Sequence, residues 1–148
     1  MHYLLKQFWE WLPVSYEEYA TKGIAQLYGS YEDNFPFFSE LISYAELIIK
    51  KEFVDGEHIN DLLTIMGIDN ETEYVLDFIE SNSSDYQIKH ISSVGITHSL
   101  YQVRWQLAEL IFRRKPLQYD YYLQILSKDK HPYVKRRAVN CIERITNK

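Results

Sequence analysis

The fold is decided by Val103-Arg104-Trp105-Gln106-Leu107-Ala108-Glu109-Leu110-Ile111, whose pattern returns at Val134-Lys135-Arg136-Arg137-Ala138-Val139-Asn140-Cys141-Ile142. Each stretch begins with a valine and a basic residue. Two polar or aromatic residues follow, and then an apolar pair. An apolar residue then closes the next turn. The spacing from position 103 to position 134 is 31 residues. Repetition at such a period predicts two-helix units that hide their apolar faces against their neighbours.

Helical spacing of apolar residues extends over nearly the whole chain. The 148 residues include only 5 glycines and 4 prolines, whereas an all-β chain needs turn residues at about every 8 to 12 positions. We therefore expect an all-α chain of about eight or nine helices. The predicted helices are about 4–12, 15–29, 36–52, 57–66, 71–81, 84–93, 99–114, 117–127 and 131–146.

Polar residues and glycines mark several of these boundaries. Ser15 opens a possible capping box, and Asn34 and Asn70 are predicted N-caps. Gly29 and Gly67 are predicted to end their helices, because glycine adopts the left-handed conformation common at helix ends.

Residues 99–146 resemble the HEAT repeat family, in which a first helix, a turn often carrying Asp and Pro, and a second helix opening with Val-Arg or Val-Lys recur. Here the first helix is amphipathic over 119–126 and the turn is Lys128-Asp129-Lys130-His131-Pro132. The resemblance implies HEAT/armadillo-like stacked helical hairpins in a right-handed α-superhelix. We expect one domain over 1–148, with HEAT-like repeats in 81–148 and irregular or capping helices in 1–80. Such a shape implies a recognition surface rather than a reaction.

Charge separates along the chain. Residues 1–74 contain 4 basic and 14 acidic residues, net −10, whereas residues 75–148 contain 12 basic and 7 acidic residues, net +5. The overall net charge of −5 hides this asymmetry. Carboxylates attract a basic partner and raise its association rate, so the acidic half favours a basic protein as partner.

Tyrosines are interleaved with carboxylates in the acidic half. Tyrosine offers a large rigid contact area that ends in a hydroxyl group, which suits a protein interface. The predicted partner-binding residues are Tyr16, Glu17, Glu18, Tyr28, Tyr31, Glu32 and Asp33. The alternative is that Tyr16 and Tyr19 pack inward while Glu17 and Glu18 only solvate a helix.

The basic half suggests nucleic-acid binding as an alternative function, because basic residues lining one groove could contact phosphates. The residues that would carry it are Arg113, Arg114, Arg136 and Arg137. Against this interpretation, Arg104 or Arg137 could simply pair with carboxylates such as Glu109 or Glu143.

No catalytic constellation, metal-binding pattern or cofactor motif is recognisable, so we expect neither an enzyme nor a cofactor. The histidines are His2, His58, His90, His98 and His131, whose scattered positions favour surface or capping roles. Cys141 is expected to fill the core, and Trp9, Trp11 and Trp105 to act as core or interface anchors. The charged, aromatic start is unlike a signal peptide, and no stretch could span a membrane, so a cytoplasmic location is expected.

The sequence is compatible with three functions from different classes. The first is a protein-binding module, most concretely a bacterial immunity protein that neutralises a basic toxin, possibly a nuclease, by direct binding. The chain resembles small acidic immunity proteins in size, charge and tyrosine content. The second is a nucleic-acid-binding repeat protein, and the third is a scaffold or regulatory subunit.

Overall fold

The computed structural model describes residues 1–24 and 31–147. Within these residues it contains nine α-helices, one 3-10 helix at Glu32–Asn34 and no strand, which confirms the predicted all-α class for this part of the chain. The helices are α1 (Tyr3–Trp11), α2 (Tyr16–Lys22), α3 (Phe38–Lys50), α4 (Gly56–Ile68), α5 (Tyr74–Asn82), α6 (Asp85–Gly95), α7 (Tyr101–Arg114), α8 (Tyr119–Leu126) and α9 (Pro132–Thr146). Across residues 1–24 and 31–147, no helix has the length and apolar character needed to cross a bilayer.

Helix α7 lies at the centre of the structure. Every residue from Gln102 to Ile111 is buried, and this range contains the first of the two repeated stretches. The helix packs against α2, α4, α5, α6, α8 and α9. A helix surrounded on all sides must also bury polar groups, and these need partners. Arg104 illustrates this, because its Nη1 donates to the carbonyl oxygens of His98 and Ser99.

The two repeated stretches pack against each other as parts of α7 and α9, and α8 contacts both helices. Helix α7 also contacts α4 and α6, which contact each other, and α3 packs on α4 and α5. The apolar faces of these helices are thus covered by neighbouring helices.

Helix α2 is shorter than predicted. Ser15 caps its start by accepting a hydrogen bond from the backbone N–H of Glu18, as expected. The helix ends at Lys22, because Gly23 adopts a φ of +66°, in the region that favours glycine. The predicted stop at Gly29 lies outside the described residues.

Three other predicted boundaries are wrong. Asn34 lies in the 3-10 helix, and Phe37 precedes α3 without a side-chain cap. Asn70 is not the N-cap of α5, since Glu73 occupies that position. Gly67 lies within α4, where a Cβ atom would stand 2.7 Å from Cγ2 of Val103. This glycine therefore permits close helix packing rather than ending a helix.

Candidate interaction surface

A cluster of aromatic side chains joins α1 to the segments that carry the predicted partner-binding residues. At its centre is Phe8, which is fully buried. Its ring centroid lies 5.0 Å from that of Trp9, 5.8 Å from that of Trp11 and 5.4 Å from that of Phe35. The contacts of Phe8 with Trp9 and Phe35 are edge-to-face, a geometry that stabilises the cluster beyond the burial of apolar area.

The two tryptophans of α1 each hold a tyrosine of the predicted surface. The ring of Trp9 meets Tyr16 edge-on at 4.8 Å, and Trp11 meets Tyr31 at 5.1 Å. The hydroxyl group of Tyr16 is also hydrogen bonded to Oγ of Ser99, which lies just before α7. The sequence pattern did not indicate Ser99 as part of this surface, because its contact with Tyr16 joins residues that are distant in the chain. Both tyrosines are therefore held in place and partly open to solvent.

Three carboxylates accompany these rings at the surface. Glu17, Glu18 and Asp33 are exposed, and none of them forms an ion pair with a residue in 1–24 or 31–147. We call Tyr16, Glu17, Glu18, Tyr31 and Asp33 the acidic-aromatic surface. It contains five of the seven residues predicted from the sequence.

Glu32 does not belong to this surface. Its side chain is buried, accepting a 2.7 Å hydrogen bond from the hydroxyl of Tyr19 and a 3.1 Å bond from Nδ2 of Asn70. Burial, followed by the nearby Glu32 carboxylate, raises the pKa of Tyr19 well above its ordinary value. Glu32 is thus an internal hydrogen-bond acceptor, and Tyr19 packs inward as the alternative interpretation stated. Tyr28 lies outside the described residues.

The arginines of the alternative nucleic-acid site are largely engaged by the protein itself. Arg113 pairs with Asp77 at 3.0 Å, and Arg114 pairs with Asp85 at 2.8 Å. Arg114 also donates to two backbone carbonyls that follow α5 or lie near its end. These contacts anchor the C-terminal end of α7 against the α5 and α6 region.

Arg137 pairs with Glu109 at 3.0 Å, which confirms one of the two pairings proposed from sequence. Its guanidinium also lies 4.5 Å from the ring centroid of Trp105. Arg104 pairs with Asp129 instead of Glu109 or Glu143. Arg136 is exposed and lies over the ring of Tyr133. Three of the four arginines of the alternative site therefore pair with carboxylates. Within residues 1–24 and 31–147, Arg136 and five lysines of the second half form no ion pair: Lys89, Lys115, Lys128, Lys130 and Lys135.

Three histidines serve as hydrogen-bond acceptors for nearby backbone groups. The ring Nδ1 atoms of His2, His98 and His131 accept from the N–H group two residues further on, at 3.2, 3.1 and 3.2 Å. Each of these contacts satisfies a backbone N–H group at or just before the start of a helix. In the described part of the chain, no three His, Cys, Asp or Glu side chains are grouped to hold a metal ion.

Comparisons of the chain with protein-family models, curated proteins and solved structures found no match. The function is therefore inferred from the contacts and charges of the acidic-aromatic surface and of the arginines. The strongest of them is a set of exposed carboxylates, unpaired within the described residues, that lie next to or near Tyr16 and Tyr31 in the chain, whose rings pack on α1.

Proposed function

We propose that the protein is a binding module whose acidic-aromatic surface docks on a basic protein. One observation carries this proposal: Glu17, Glu18 and Asp33 are exposed and unpaired among the described residues, beside rings that are packed on α1. Exposed like charges disfavour the folded state slightly through mutual repulsion, so a partner of opposite charge would relieve that cost.

The two components of the surface have different physical roles. The carboxylates steer a basic partner toward the surface and raise the association rate, an effect that salt screens. The aromatic rings supply apolar contact area, and Tyr16 and Tyr31 lose little side-chain entropy on binding because their neighbours already hold them. Binding, rather than a chemical step, is the activity proposed.

The most specific form of the proposal is a bacterial immunity protein that acts in the cytoplasm. Its surface would cover the positively charged substrate site of a basic toxin, possibly a nuclease, and so block access of the substrate. The small size, net charge of −5 and 13 tyrosines of the chain fit this role.

We further propose that α7, α8 and α9 form HEAT-like repeats of a right-handed superhelix. The support is the packing of α7 on both α8 and α9, and the ion pair that Asp129 of the α8–α9 turn forms with Arg104 of α7. Such repeats would make a rigid support for the N-terminal surface.

A charge-reversal variant tests the docking surface. E17K/E18K/D33K is compared with the control E52K/D120K/E143K, which introduces the same change of charge at three other exposed positions. The immobilised chain captures partners from its source cells, and the protein encoded by the adjacent gene is tested for toxicity. We expect a basic toxin to be bound, and growth rescued on co-expression, by the unmodified chain and the control but not by E17K/E18K/D33K.

Retention of the partner by E17K/E18K/D33K would reject this surface assignment. Capture of only neutral or acidic proteins would reject a basic partner. Raising the salt concentration should lower the association rate with little effect on the dissociation rate, since exposed charges act mainly on the encounter. An unchanged association rate would show that steering by carboxylates is not involved.

Nucleic-acid binding and a scaffold role are the alternatives. A gel shift at moderate salt that R113A/R114A/R136A/R137A removes would support the first. The ion pairs of Arg113, Arg114 and Arg137 weigh against it, because a phosphate would have to displace carboxylates already in contact. Stable capture of a partner without any inhibition would support the scaffold role.

A further inference from the structure

Helix α2 is attached at both of its ends to the part of the molecule that carries the repeated stretches. At its start, the hydroxyl group of Tyr16 is hydrogen bonded to Oγ of Ser99, just before α7. At its end, the carbonyl oxygen of Thr21 accepts a 2.9 Å hydrogen bond from Nε2 of His131, the N-cap residue of α9. The acidic first turn of α2 and the start of α9 therefore belong to one region of the molecule.

The turn between α8 and α9 is tied to the same region through a buried arginine. Nη1 of Arg104 donates to the carbonyl oxygen of Ser99 at 3.1 Å, and Nε pairs with Asp129 at 2.7 Å. Asp129 stands between Lys128 and Lys130 in the chain. Buried hydrogen bonds thus fix the backbone that carries these two lysines close to the residue that holds the start of α2.

The cations at this turn and in the first turns of α9 are exposed. We call them the basic turn: Lys128, Lys130, Lys135 and Arg136. None of the four forms an ion pair with a residue in 1–24 or 31–147. The one carboxylate within residues 128–136 is that of Asp129, and Arg104 balances it. The basic turn therefore carries a local excess of positive charge.

Exposed charges of opposite sign are thus present in one region without neutralising each other. Glu17 and Glu18 are unpaired within the described residues, and so is the basic turn. A two-fold rotation about an axis between the two patches brings the carboxylates of each copy to the cations of the other. A partner of one sign would match one patch and be repelled by the other, whereas a second copy matches both.

We propose that two copies of the chain form a symmetric dimer, in which Glu17 and Glu18 of each copy face the basic turn of the other. This inference rests on the proposed function, because it concerns the regulation of the same carboxylates. The dimer covers part of the acidic-aromatic surface, so it is a resting form. A basic partner displaces the second copy when it binds.

The dimer should be weak and should depend on salt in a defined way. Exposed ion pairs contribute little individually, and the net charge of −5 makes two copies repel each other at long range. At about 0.1 M salt the Debye length is about 10 Å, which screens the distant repulsion more than the contacts. At about 1 M salt it is about 3 Å, and the dimer should dissociate.

Sedimentation equilibrium of the full chain measures the association. We expect a dissociation constant on the order of 0.1 mM at about 0.1 M salt. A chain that stays monomeric at about 1 mM would overturn the proposal. A dimer that persists unchanged at about 1 M salt would also overturn it, because an apolar contact would then hold the two copies together.

Charge reversal identifies the patches that meet. E17K/E18K makes both patches positive, and K128E/K130E/K135E makes both negative, because three carboxylates then outnumber Arg136. Each variant alone should dimerise at least about tenfold more weakly than the unmodified chain, since like charges would face each other. Dimerisation that either variant leaves unchanged would overturn the assignment of that patch.

Matched controls separate local contacts from net charge. D120K/E143K and K50E/K51E/K89E introduce the same changes of net charge at exposed positions of other segments. Both controls should retain the dimer. A loss as large as that of the corresponding patch variant would show that overall charge, and not contact between the patches, controls the association. Circular dichroism checks that all variants are folded.

An equimolar mixture of the two patch variants gives the sharpest test. E17K/E18K and K128E/K130E/K135E should each be monomeric alone but form a dimer of one copy of each, because opposite charges then meet at both contacts. The same reversals combined in one chain should also restore the dimer. A mixture that remains monomeric would overturn the proposal, and one that grows beyond two chains would replace the symmetric dimer with a head-to-tail contact.

The basic partner separates this inference from the proposed function. If the unmodified chain is monomeric while E17K/E18K/D33K fails to bind the partner, the proposed function stands and the dimer is wrong. If the dimer forms but no basic partner is captured, the dimer stands and the proposed function fails. Addition of the partner should convert the dimer into a complex that contains one copy of the chain. A complex that keeps two copies joined would contradict the shared use of Glu17 and Glu18.

Discussion

Arg104 in α7 and Asp129 in the turn between α8 and α9 form an ion pair through two hydrogen bonds, Nε to Oδ2 at 2.7 Å and Nη2 to Oδ1 at 3.2 Å. Their side chains are only 7% and 9% exposed. Arg104 also donates to the carbonyl oxygen of His98, and Asp129 accepts from the backbone N–H of His131. One pair therefore holds the start of α7 and the start of α9 in a fixed relation.

Removal of Arg104 should destabilise the fold strongly. R104A leaves the carboxylate of Asp129 buried without its cation, and we expect a loss of about 3 kcal/mol in the free energy of unfolding. The measurement is urea unfolding followed by circular dichroism. The control is R113A. Asp77, the nearest carboxylate partner of Arg113, is exposed, and Glu109, another partner, keeps Arg137 and Arg144, so the loss should be about 1 kcal/mol or less. Equal losses for R104A and R113A would contradict the structural role of the pair.

Gly67 permits α4 to pack closely against α7. A Cβ atom there would lie 2.7 Å from Cγ2 of Val103 and 3.5 Å from its backbone nitrogen. Although alanine favours a helix more than glycine does, G67A should lower the free energy of unfolding by about 1 to 3 kcal/mol, because the two helices must move apart. Urea unfolding measures the change.

A second glycine of the same helix provides the control. No atom lies within 4 Å of a Cβ built on Gly56, so G56A should be neutral or stabilising by up to about 1 kcal/mol. The double variant G67A/V103A, in which the clashing methyl groups are absent, should recover part of the G67A loss relative to V103A alone. A G67A variant that is as stable as G56A would contradict the close contact between α4 and α7.

The helices were predictable from the sequence because apolar periodicity and helix-breaking residues are local signals. The ends of α7 and α9 match the predictions closely, since Pro132 begins α9 and Lys115 adopts a left-handed φ after α7. The role of Gly67 was not predictable, because it depends on Val103 from another helix. Glycine as a helix stop and glycine as a packing contact look the same in a single sequence.

The candidate surface was predictable only in part. Exposure of Glu17 and Asp33 agrees with their polar character, but Glu32 stands next to Asp33 and is buried. Its burial is possible because the distant residue Asn70 and the hydroxyl of Tyr19 satisfy the carboxylate. Partners supplied by the tertiary structure decide which acid remains at the surface, and composition or charge pattern does not contain that information.

Cys141 should be unreactive in the folded protein. It is fully buried, and burial, followed by the neighbouring Glu109 carboxylate, raises the pKa of its thiol to about 11 from 9.0. At pH 8 we expect alkylation by iodoacetamide at least about a hundredfold slower in the folded chain than in urea, because the thiolate is the reactive form. Mass spectrometry follows the reaction. The control N140C/C141A places a thiol at an exposed neighbouring position and should react rapidly, and equally slow alkylation there would show that burial is not the cause.

Protonation of His98 should destabilise the protein in mild acid. This ring is buried, its Nδ1 accepts from the backbone of Leu100, and burial followed by the charge of Arg104 lowers its pKa from 6.5 to about 4. Above pH 6.5 the ring is neutral in both the folded and the unfolded chain. Between pH 6.5 and 4 only the unfolded chain binds the proton, so this group lowers the free energy of unfolding as the pH falls, by about 3 kcal/mol in total.

The variant H98Q isolates this contribution, because glutamine does not titrate. Its free energy of unfolding, measured in urea at several pH values, should fall less steeply than that of the unmodified chain from pH 6.5 to 4. The raised pKa of buried Asp69 has the opposite effect on the free energy of unfolding as the pH falls. Both proteins contain Asp69, so its contribution cancels when their pH profiles are subtracted. The control H90Q replaces a half-exposed histidine of α6 in the same way, so a comparison with it separates the effect of the buried ring from that of losing a histidine. Parallel pH profiles for H98Q and the unmodified chain would mean that His98 accepts its proton equally well in both states, which the hydrogen bond from Leu100 and the adjacent Arg104 guanidinium oppose.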